Sequence, residues 1–475
     1  MTIDNIPVEQ TLEKVKKQIE EEKNLSPALR ASLELLLTLV TLLMNRLGLN
    51  SRNSSKPPSS DPNRKKKRNN GNNNPGGQKG HTGSHLELVD DPDHVESLKV
   101  DRATLPTDGT FRCIGYERRQ VFDIQISRVV TEYRAEILAD ERGRRVIAPF
   151  PERVKVKTQY ACGVKIHSVY MSLFQLLPYQ RIEEHFADQF DIPLSAGSIY
   201  NFNKEVYEML APFEDWAKRE LSQALLLHAD ETGINIGGKR KWLHVLCSTT
   251  LTLLMPHDKR GGEAMAAMGV LPEYTGTLVH DHWKPYYQLP CYHALCNAHH
   301  LRELERAWEQ DQQQWAKQMQ VLLLEINEAV DEAGGVLNTP QAEAFRERYR
   351  QVLKAAQIEC PAPDESQRKK GQRGRLKRSK SRNLLERLIQ FEQDVLRFMV
   401  ELDVTFTNNQ GERDLRMSKV QQKISGCFRS ELGAKIFARI RSYLSTCQKN
   451  GVSSEQALRL LYEERWPDFM GMTPE

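Results

Sequence analysis

The sequence lacks the cysteine pairs on which small secreted domains depend. It has eight cysteines in 475 residues, and no two of them form a C-x-x-C pair. This absence excludes a secreted disulfide framework and favours a reducing cytoplasm. The first ten residues, MTIDNIPVEQ, also lack the basic start and apolar core of a signal peptide.

Long apolar runs are absent as well. The most apolar stretch, LELLLTLVTLLM at 33–44, is interrupted by Glu34 and two threonines. It is shorter than the roughly 20 residues that a transmembrane helix needs. We therefore expect no membrane role.

A strong excess of one charge is also missing, since the formal net charge is only +4. The basic residues are instead concentrated in RKKKR at 64–68 and RKKGQRGRLKRSKSR at 368–382. Such clusters indicate binding to a polyanion, although a solvated basic linker has the same composition. The candidate DNA-binding residues in the two clusters are Lys65, Lys66, Lys67, Arg373, Arg375, Lys377 and Arg378.

The first half of the chain is predicted to contain four regions. Residues 1–49 are helical, with Ser26 and Pro27 starting a helix in which Leu29, Leu33, Leu36, Val40, Leu43 and Leu47 form a heptad seam. This seam favours a coiled-coil dimer, although a packed helix has the same pattern. Residues 50–85 are expected to form a disordered basic linker, and 86–160 a small β-rich module. Residues 161–220 are expected to form a helix-turn-helix-like region in which Ser195 caps a helix, although many plain helical hairpins have the same outline.

The second half of the chain has a different pattern of apolar residues. The apolar runs ALLLHAD, KWLHVLCS, LTLLMP and TGTLVHD predict strands of one central sheet, and long amphipathic helices follow between about 299 and 357. Asp230 and Asp281 each close one of these runs, so we expect both carboxylates at one edge of the sheet. Converging carboxylates repel each other, and hard divalent cations with oxygen ligands relieve that repulsion.

Several motifs resemble the DDE transposases of bacterial insertion sequences, in particular the family numbered sixty-six. They are NSSKPPSSDP, GGQKGHTGSH, HADETGI, TLVHDHWKPY, HALCNAHHLREL and TNNQGERDLRMSKVQQKISGCFRS, and the likeness extends from about residue 50 to past 450. The resemblance implies a multidomain α+β chain with an RNase H-like catalytic core, a mixed β-sheet flanked by helices, at 221–425. It places a helical insertion at about 299–400 and a C-terminal helical region at 426–475.

The resemblance also assigns residue roles. Asp230, Asp281 and Glu412 would be the catalytic and metal-binding acids, and they would hold two Mg²⁺ or Mn²⁺ ions. Arg413, Arg416 and Lys419 would contact DNA near Glu412, whereas by spacing alone Glu412 would simply pair with Arg416 on the helix surface. Glu231, His299 and Arg302 would support the active site.

We expect no structural zinc. Around HALCNAHH, the spacings of Cys291, His293, Cys296 and His299 do not fit the usual structural zinc patterns. A strand through Cys291, His293 and Leu295 would split these four side chains between two faces, which favours a core strand leading into a helix over a zinc site. Relatives usually carry cysteine pairs in the module at 86–160, but here only Cys113 is present, and Cys162 lies well downstream. This module therefore resembles a zinc-finger-like domain that has lost its cysteines.

The function implied is a transposase that binds the terminal inverted repeats of its element, cleaves DNA and joins it to a target. Its partners would be terminal-repeat and target DNA, further copies of itself and accessory proteins encoded by the same element. It would act in the bacterial cytoplasm at the nucleoid. Two alternatives share these features: an RNase H-like nuclease without strand transfer, and a catalytically silent DNA-binding regulator.

Overall fold

The structure is a computed structural model that describes residues 2–3, 6–22, 25–54, 61, 86–106, 108–364, 366 and 376–473. Five of the predicted DNA-binding residues lie outside these ranges, namely Lys65, Lys66, Lys67, Arg373 and Arg375. The predicted linker at 50–85 is described only at 50–54 and 61.

Helices make up most of the regular structure. The α-helices of the described residues are α1 (Val8–Glu21), α2 (Pro27–Leu47), α3 (Cys162–Val169), α4 (Tyr179–Phe190), α5 (Ala196–Met209), α6 (Ala211–Gln223), α7 (Gly262–Ala267), α8 (Asn297–Asp311), α9 (Gln314–Glu332), α10 (Thr339–Glu359), α11 (Lys380–Gln390), α12 (Glu392–Leu396), α13 (Asn409–Ser425), α14 (Glu431–Lys449) and α15 (Ser454–Tyr462). A π-helical turn follows α3, and short 3₁₀ turns occupy Arg102–Thr104, Leu271–Glu273, Lys284–Gln288, Arg397–Met399 and Asp468–Met470.

The strands form one mixed sheet and two short hairpins. They are β1 (Thr2–Ile3), β2 (Ile6–Pro7), β3 (Ile137–Ala139), β4 (Arg145–Ile147), β5 (Leu226–Ile236), β6 (Lys239–Cys247), β7 (Thr252–His257), β8 (Thr277–His280) and β9 (Tyr292–Leu295). In the mixed sheet the strand order is β7-β6-β5-β8-β9. Strands β5, β6 and β7 pair antiparallel, whereas β5, β8 and β9 pair parallel.

Strands β5 to β8 confirm the four predicted apolar runs, and β9 leads into α8 as expected for HALCNAHH. The parallel part of the sheet is covered on both faces, because consecutive residues of β8 enter different cores. Leu278 packs in a core shared with α5, α6 and α14, and Val279 packs in a second core with α8 to α11. Alternating side chains produce this division.

One detail of the strand prediction is wrong. Asp230 does not end its strand, because β5 continues to Ile236. Beyond His228 the parallel partner β8 soon ends, and β5 continues through its antiparallel pairing with β6 alone. Asp230 therefore lies at the point where β5 separates from β8.

The N-terminal helix α2 begins as predicted. The Ser26 side chain accepts a hydrogen bond from the Leu29 backbone N–H, and Pro27 occupies the first turn. None of its residues is buried, so the leucine seam is exposed.

α2 is longer than the apolar run predicted from sequence. It has 21 residues and an 18-residue window of mean hydropathy 1.6, so by length and composition alone it could cross a membrane. Thr38 and Thr41 do not interrupt it, because each hydroxyl donates to a carbonyl one turn earlier. The expectation that this segment is too short to span a bilayer is therefore wrong as to length. A single helix of this kind is weak evidence for a membrane role.

The β-rich module predicted at 86–160 has little strand structure. Within the described residues of this range, only β3 and β4 pair, and all six of their residues are exposed. The alternating stretch RQVFDIQI at 119–126 forms no strand, and its Val121 and Ile124 remain exposed. Alternation alone does not make a strand where no second layer buries its apolar face.

The helical prediction at 161–220 agrees with the helices observed. The two expected helices are α4 and α5, and the Ser195 hydroxyl accepts the Ser198 N–H at the start of α5. Asp191 ends α4 in a left-handed conformation. The domain boundaries themselves stay predictions.

Candidate active site

The sheet register brings the first two acids together. β5 and β8 pair in parallel, with His228 opposite Val279. Asp230 lies two residues beyond His228 and Asp281 two residues beyond Val279, so the pairing brings both acids to the same edge of the sheet, where Asp281 acts on the pKa of Asp230. Asp281 directly follows β8, and its Oδ1 accepts the Trp283 N–H at 3.0 Å.

The third acid reaches the same edge from α13. Gly411 lies against β5 so closely that a Cβ at this position would be 3.3 Å from the Cβ of Asp230. Glu412 follows in the first turn of the helix. The close approach of a glycine therefore places Glu412 beside the aspartate on the strand.

The electrostatics of the site reflect this convergence. Burial is the main cause that raises the pKa of Asp230 to about 8, and Glu231, Asp281 and Glu412 add like-charge repulsion. Burial and Glu231 also raise the pKa of Asp281 to about 6, although Arg260 partly opposes the shift. Carboxylate oxygens that repel one another in a buried position are the donor set that Mg²⁺ or Mn²⁺ prefers, so these residues fit a divalent cation.

Glu231 has a different environment from its neighbour. Its side chain is 1% exposed and accepts hydrogen bonds from Arg260 Nε at 2.7 Å and from the Tyr286 hydroxyl at 2.6 Å. The Arg260 Nη2 atom is also 3.9 Å from Asp281 Oδ2. Arg260 therefore balances the charge of Glu231 and extends towards the acids.

Two tryptophans hold Arg260 in place. Its guanidinium carbon lies 4.9 Å from the ring centroid of Trp242 and 4.1 Å from that of Trp283. Cation–π contacts of this kind orient a guanidinium without neutralising its charge. Nothing in the sequence spacing identified this arrangement, because the three residues come from β6, the loop after β7 and the loop after β8.

Asn408 joins α13 to the sheet. Its side-chain Nδ2 donates to the Ala229 carbonyl at 2.8 Å, and its Oδ1 pairs with His228 Nδ1 at 3.0 Å. Its backbone N–H donates to Cys296 Sγ at 3.2 Å. This residue, which is 2% exposed, sets the start of the helix that carries Glu412.

We expect Asn408→Ala to lower the free energy of unfolding by roughly 2–4 kcal/mol. The substitution leaves a buried carbonyl and a buried imidazole N–H without partners. Chemical denaturation monitored by circular dichroism measures the change. Asn409→Ala is the matched control, because Asn409 is exposed and adjacent; equal effects of the two substitutions would contradict the role assigned to Asn408.

Comparison with known families agrees with this geometry. The model of the family described as Transposase IS66 family matches residues 157–436, which is more than half of the chain. The chain belongs to the IS66 family of transposases. The matched range includes the mixed sheet, all three acids and the start of α14.

A second family model matches the N-terminal part of the chain. It describes a family of unknown function named DUF6444 and covers residues 4–87. No curated protein matches the chain. The resemblance to insertion-sequence family sixty-six is thus confirmed as membership of the IS66 family.

The IS66 resemblance assigned DNA contacts to three basic residues of α13. Arg413 and Arg416 are exposed and have no ion pair with any residue that the structure describes, and Glu412 does not pair with Arg416. Lys419 is exposed too, but its Nζ donates to the Gly233 carbonyl at 2.6 Å. Arg413 and Arg416 therefore remain available to a DNA phosphate.

The basic run before α11 is described only in part. Arg378 forms an ion pair with Glu386, and Arg382 pairs with the same carboxylate. Lys377 is exposed. The charge of Arg378 is thus partly balanced within the protein, which leaves Lys377 as the better candidate for DNA contact in the described part of this cluster.

His299 and Arg302 lie on the first turns of α8, near Glu412. His299 is partly buried, and its Nδ1 has no hydrogen-bond partner among the described residues; the same holds for Arg302 Nε. Cys296, which caps α8, places its Sγ in the same cluster as His299 and Glu412. His299 was predicted from the sequence as an active-site support, and Cys296 was considered only in the rejected zinc site. Asn408 was not predicted, although it stands in a motif shared with the IS66 family.

Proposed function

We propose that this protein is a transposase that binds the terminal inverted repeats of its element and catalyses metal-dependent DNA cleavage and strand transfer. The observation that carries the proposal is the convergence of Asp230, Asp281 and Glu412 where β5 leaves β8. Membership of the IS66 family supports the same activity.

An RNase H-like core is the fold that this proposal requires. The support is a mixed sheet in which three antiparallel strands are followed by two parallel ones, with a helix carrying the third acid packed on the first strand. Helices α8 to α12 come between Asp281 and Glu412, and they would be the helical insertion. The second apolar core, to which α8 to α11 contribute, packs against β8 and β9 and would brace the catalytic edge.

Asp230, Asp281 and Glu412 would hold two Mg²⁺ or Mn²⁺ ions. Such ions, when bound, supply activation of the attacking oxygen and stabilisation of the leaving oxygen in a phosphodiester displacement. The protein itself positions the three carboxylates, and Asn408 and Gly411 set the approach of α13 to β5. Arg260 pairs with Glu231 and partly opposes the rise in the pKa of Asp281.

DNA would lie along the exposed side of α13. Arg413 and Arg416 project from the helix that carries Glu412 and would contact phosphates near the scissile bond. Phosphate contacts position DNA without reading its sequence. Recognition of the terminal repeats would then belong to the region before the sheet, where α4 and α5 have the outline of a helix-turn-helix.

The protein would act as an oligomer in the cytoplasm, at the nucleoid. The exposed leucine seam of α2 supports a coiled coil between copies, because a helix with no buried residue leaves its apolar side chains in water. Accessory proteins of the same element would complete the assembly.

A strand-transfer assay tests the proposal. Purified protein is incubated with a labelled element end and a supercoiled plasmid in Mg²⁺, in Mn²⁺ and in EDTA, and nicked and joined products are separated on a gel. We expect joined products in the metals and none in EDTA. Nicking without joining would instead indicate an RNase H-like nuclease, and binding without cleavage would indicate a DNA-binding regulator.

A further inference from the structure

A second group of potential metal ligands lies beside the three acids. The Sγ of Cys296, a ring nitrogen of His299 and a carboxylate oxygen of Glu412 all lie within 4.8 Å of one another. The group joins two elements, since Cys296 and His299 begin α8 and Glu412 begins α13. The third ligand therefore comes from a residue more than a hundred positions away.

Cys296 offers a buried sulfur at the start of α8. It is 1% exposed, and its Sγ accepts the Asn408 N–H at 3.2 Å. A cation bound there would displace the thiol proton, because a coordinating thiol is deprotonated by the ion that it binds.

His299 offers a nitrogen that the protein itself does not use. Its Nδ1 is inaccessible to solvent and has no hydrogen-bond partner among the described residues. Arg302 and Arg387 are the charged groups near this ring, and the charge of Arg387 is offset by its ion pair with Glu303.

The donor set selects the kind of ion. A thiolate, an imidazole and a carboxylate suit Zn²⁺, which commonly takes three protein ligands and one water, whereas Mg²⁺ prefers oxygen alone. Tetrahedral bonds of about 2.0–2.3 Å separate neighbouring donors by roughly 3.3–3.7 Å, so small side-chain rotations would bring the three donors into range. One thiolate and one carboxylate would balance the charge of the ion.

We propose that Cys296, His299 and Glu412 form a binding site for a thiophilic divalent cation, with Zn²⁺ as the expected ion. This site differs from the zinc site rejected in the sequence analysis, which combined Cys291 and His293 with Cys296 and His299. It also differs in ligand chemistry from the oxygen-only pair of Asp230 and Asp281. Where the proposed function holds, the two sites share Glu412, and Zn²⁺ would compete with the catalytic use of that carboxylate.

Direct metal binding tests the proposal without relying on activity. The full chain is stripped with a chelator and titrated with Zn²⁺ and with Co²⁺, whose thiolate charge-transfer band in the near ultraviolet reports a sulfur ligand. We expect about one equivalent to bind with this band. Cys296→Ser and His299→Ala should each weaken binding by roughly a hundredfold or more and remove the rise in Tm that Zn²⁺ produces in the wild type.

Matched controls separate this site from its neighbours. Cys291→Ser and His293→Ala alter the same sequence stretch outside the cluster and should bind as the wild type does. Asp230→Asn should also retain Zn²⁺, so the site can be established even if strand transfer fails. No bound Zn²⁺ in the wild type, or unchanged binding in Cys296→Ser, would overturn the proposal.

Discussion

Asp230→Asn is expected to abolish DNA cleavage and joining while leaving binding to the element ends largely intact. The amide removes the carboxylate that lies between Asp281 and Glu412, and metal-assisted stabilisation of the transition state is worth several kcal/mol. A loss of this size corresponds to roughly a thousandfold or more in rate. The strand-transfer assay and a gel-shift with the labelled end measure the two effects separately.

The same substitution should stabilise the protein in EDTA. The pKa of Asp230 is about 8 in the folded state and 3.8 when unperturbed, so the folded state holds a proton more tightly than the unfolded state does. Stability is therefore fully present below about pH 4 and is lost as the pH rises towards 8. Because asparagine does not titrate, the variant should gain a few kcal/mol over the wild type at pH 8, measured by urea unfolding across this range.

Asp215→Asn is the matched control for both measurements, since Asp215 is exposed on α6. It should change neither cleavage nor the pH dependence of stability. Asp281, with a pKa of about 6, contributes a smaller part of the pH dependence at lower pH. Cleavage that survives in Asp230→Asn would remove the catalytic assignment, and loss of end binding together with stability would point to a folding role.

Lys449→Met is expected to lower the free energy of unfolding by about 3–5 kcal/mol, because it leaves a buried carboxylate unpaired. Lys449 Nζ lies 2.7 Å from Asp414 Oδ2, and the two side chains are 12% and 7% exposed. The ammonium also donates to the carbonyls of Ser248 and Leu251. Chemical denaturation measures the loss.

Two further variants identify the cause. Lys435→Met replaces an exposed lysine of the same helix α14 and should be nearly neutral. The double variant Lys449→Met/Asp414→Leu should recover much of the loss, since it removes both charges. If Lys449→Met proves as mild as Lys435→Met, the pair does not hold α13 in place.

This ion pair bears on function through the helix that carries Glu412. Asp414 stands two residues after Glu412 and also accepts the Thr252 hydroxyl at 2.8 Å. Asp414 thereby links α13 both to β7 and to the end of α14. The buried pair of Asp414 and Lys449 and the contacts of Asn408 at the start of α13 therefore both fix the position of Glu412.

Much of the secondary structure after residue 221 could be predicted, because the sequence signals for it act between residues that are close in the chain. Residue type and alternation predict the apolar runs of β5 to β8 and the strand that leads into α8. Apolar periodicity predicts the helices between 299 and 357. The module at 86–160 could not be predicted in the same way. Its alternating residues have no second layer to bury them in the described structure, and a strand without such a layer is not stable alone.

The residues of the candidate site also divide into those that could be predicted from sequence and those that could not. Asp230 and Asp281 could be paired from sequence because both end apolar runs of one expected sheet, and Glu412 entered through the family motif. Arg260, Trp242 and Trp283 could not be found, because their contact depends on the relative placement of two loops and a strand. The cluster of Cys296, His299 and Glu412 likewise depends on two helices meeting.

Local sequence signals set where helices and strands begin and which kind of element forms. Ser26 and Ser195 cap helices, and apolar alternation sets the strands, because these effects act between residues a few positions apart. The tertiary structure sets the strand pairing that brings Asp230 and Asp281 to one edge, the approach of Gly411 to β5 and the position of Glu412 within two groups of potential metal ligands. Those outcomes depend on packing between distant segments, where contact distance and burial set the chemistry of a carboxylate.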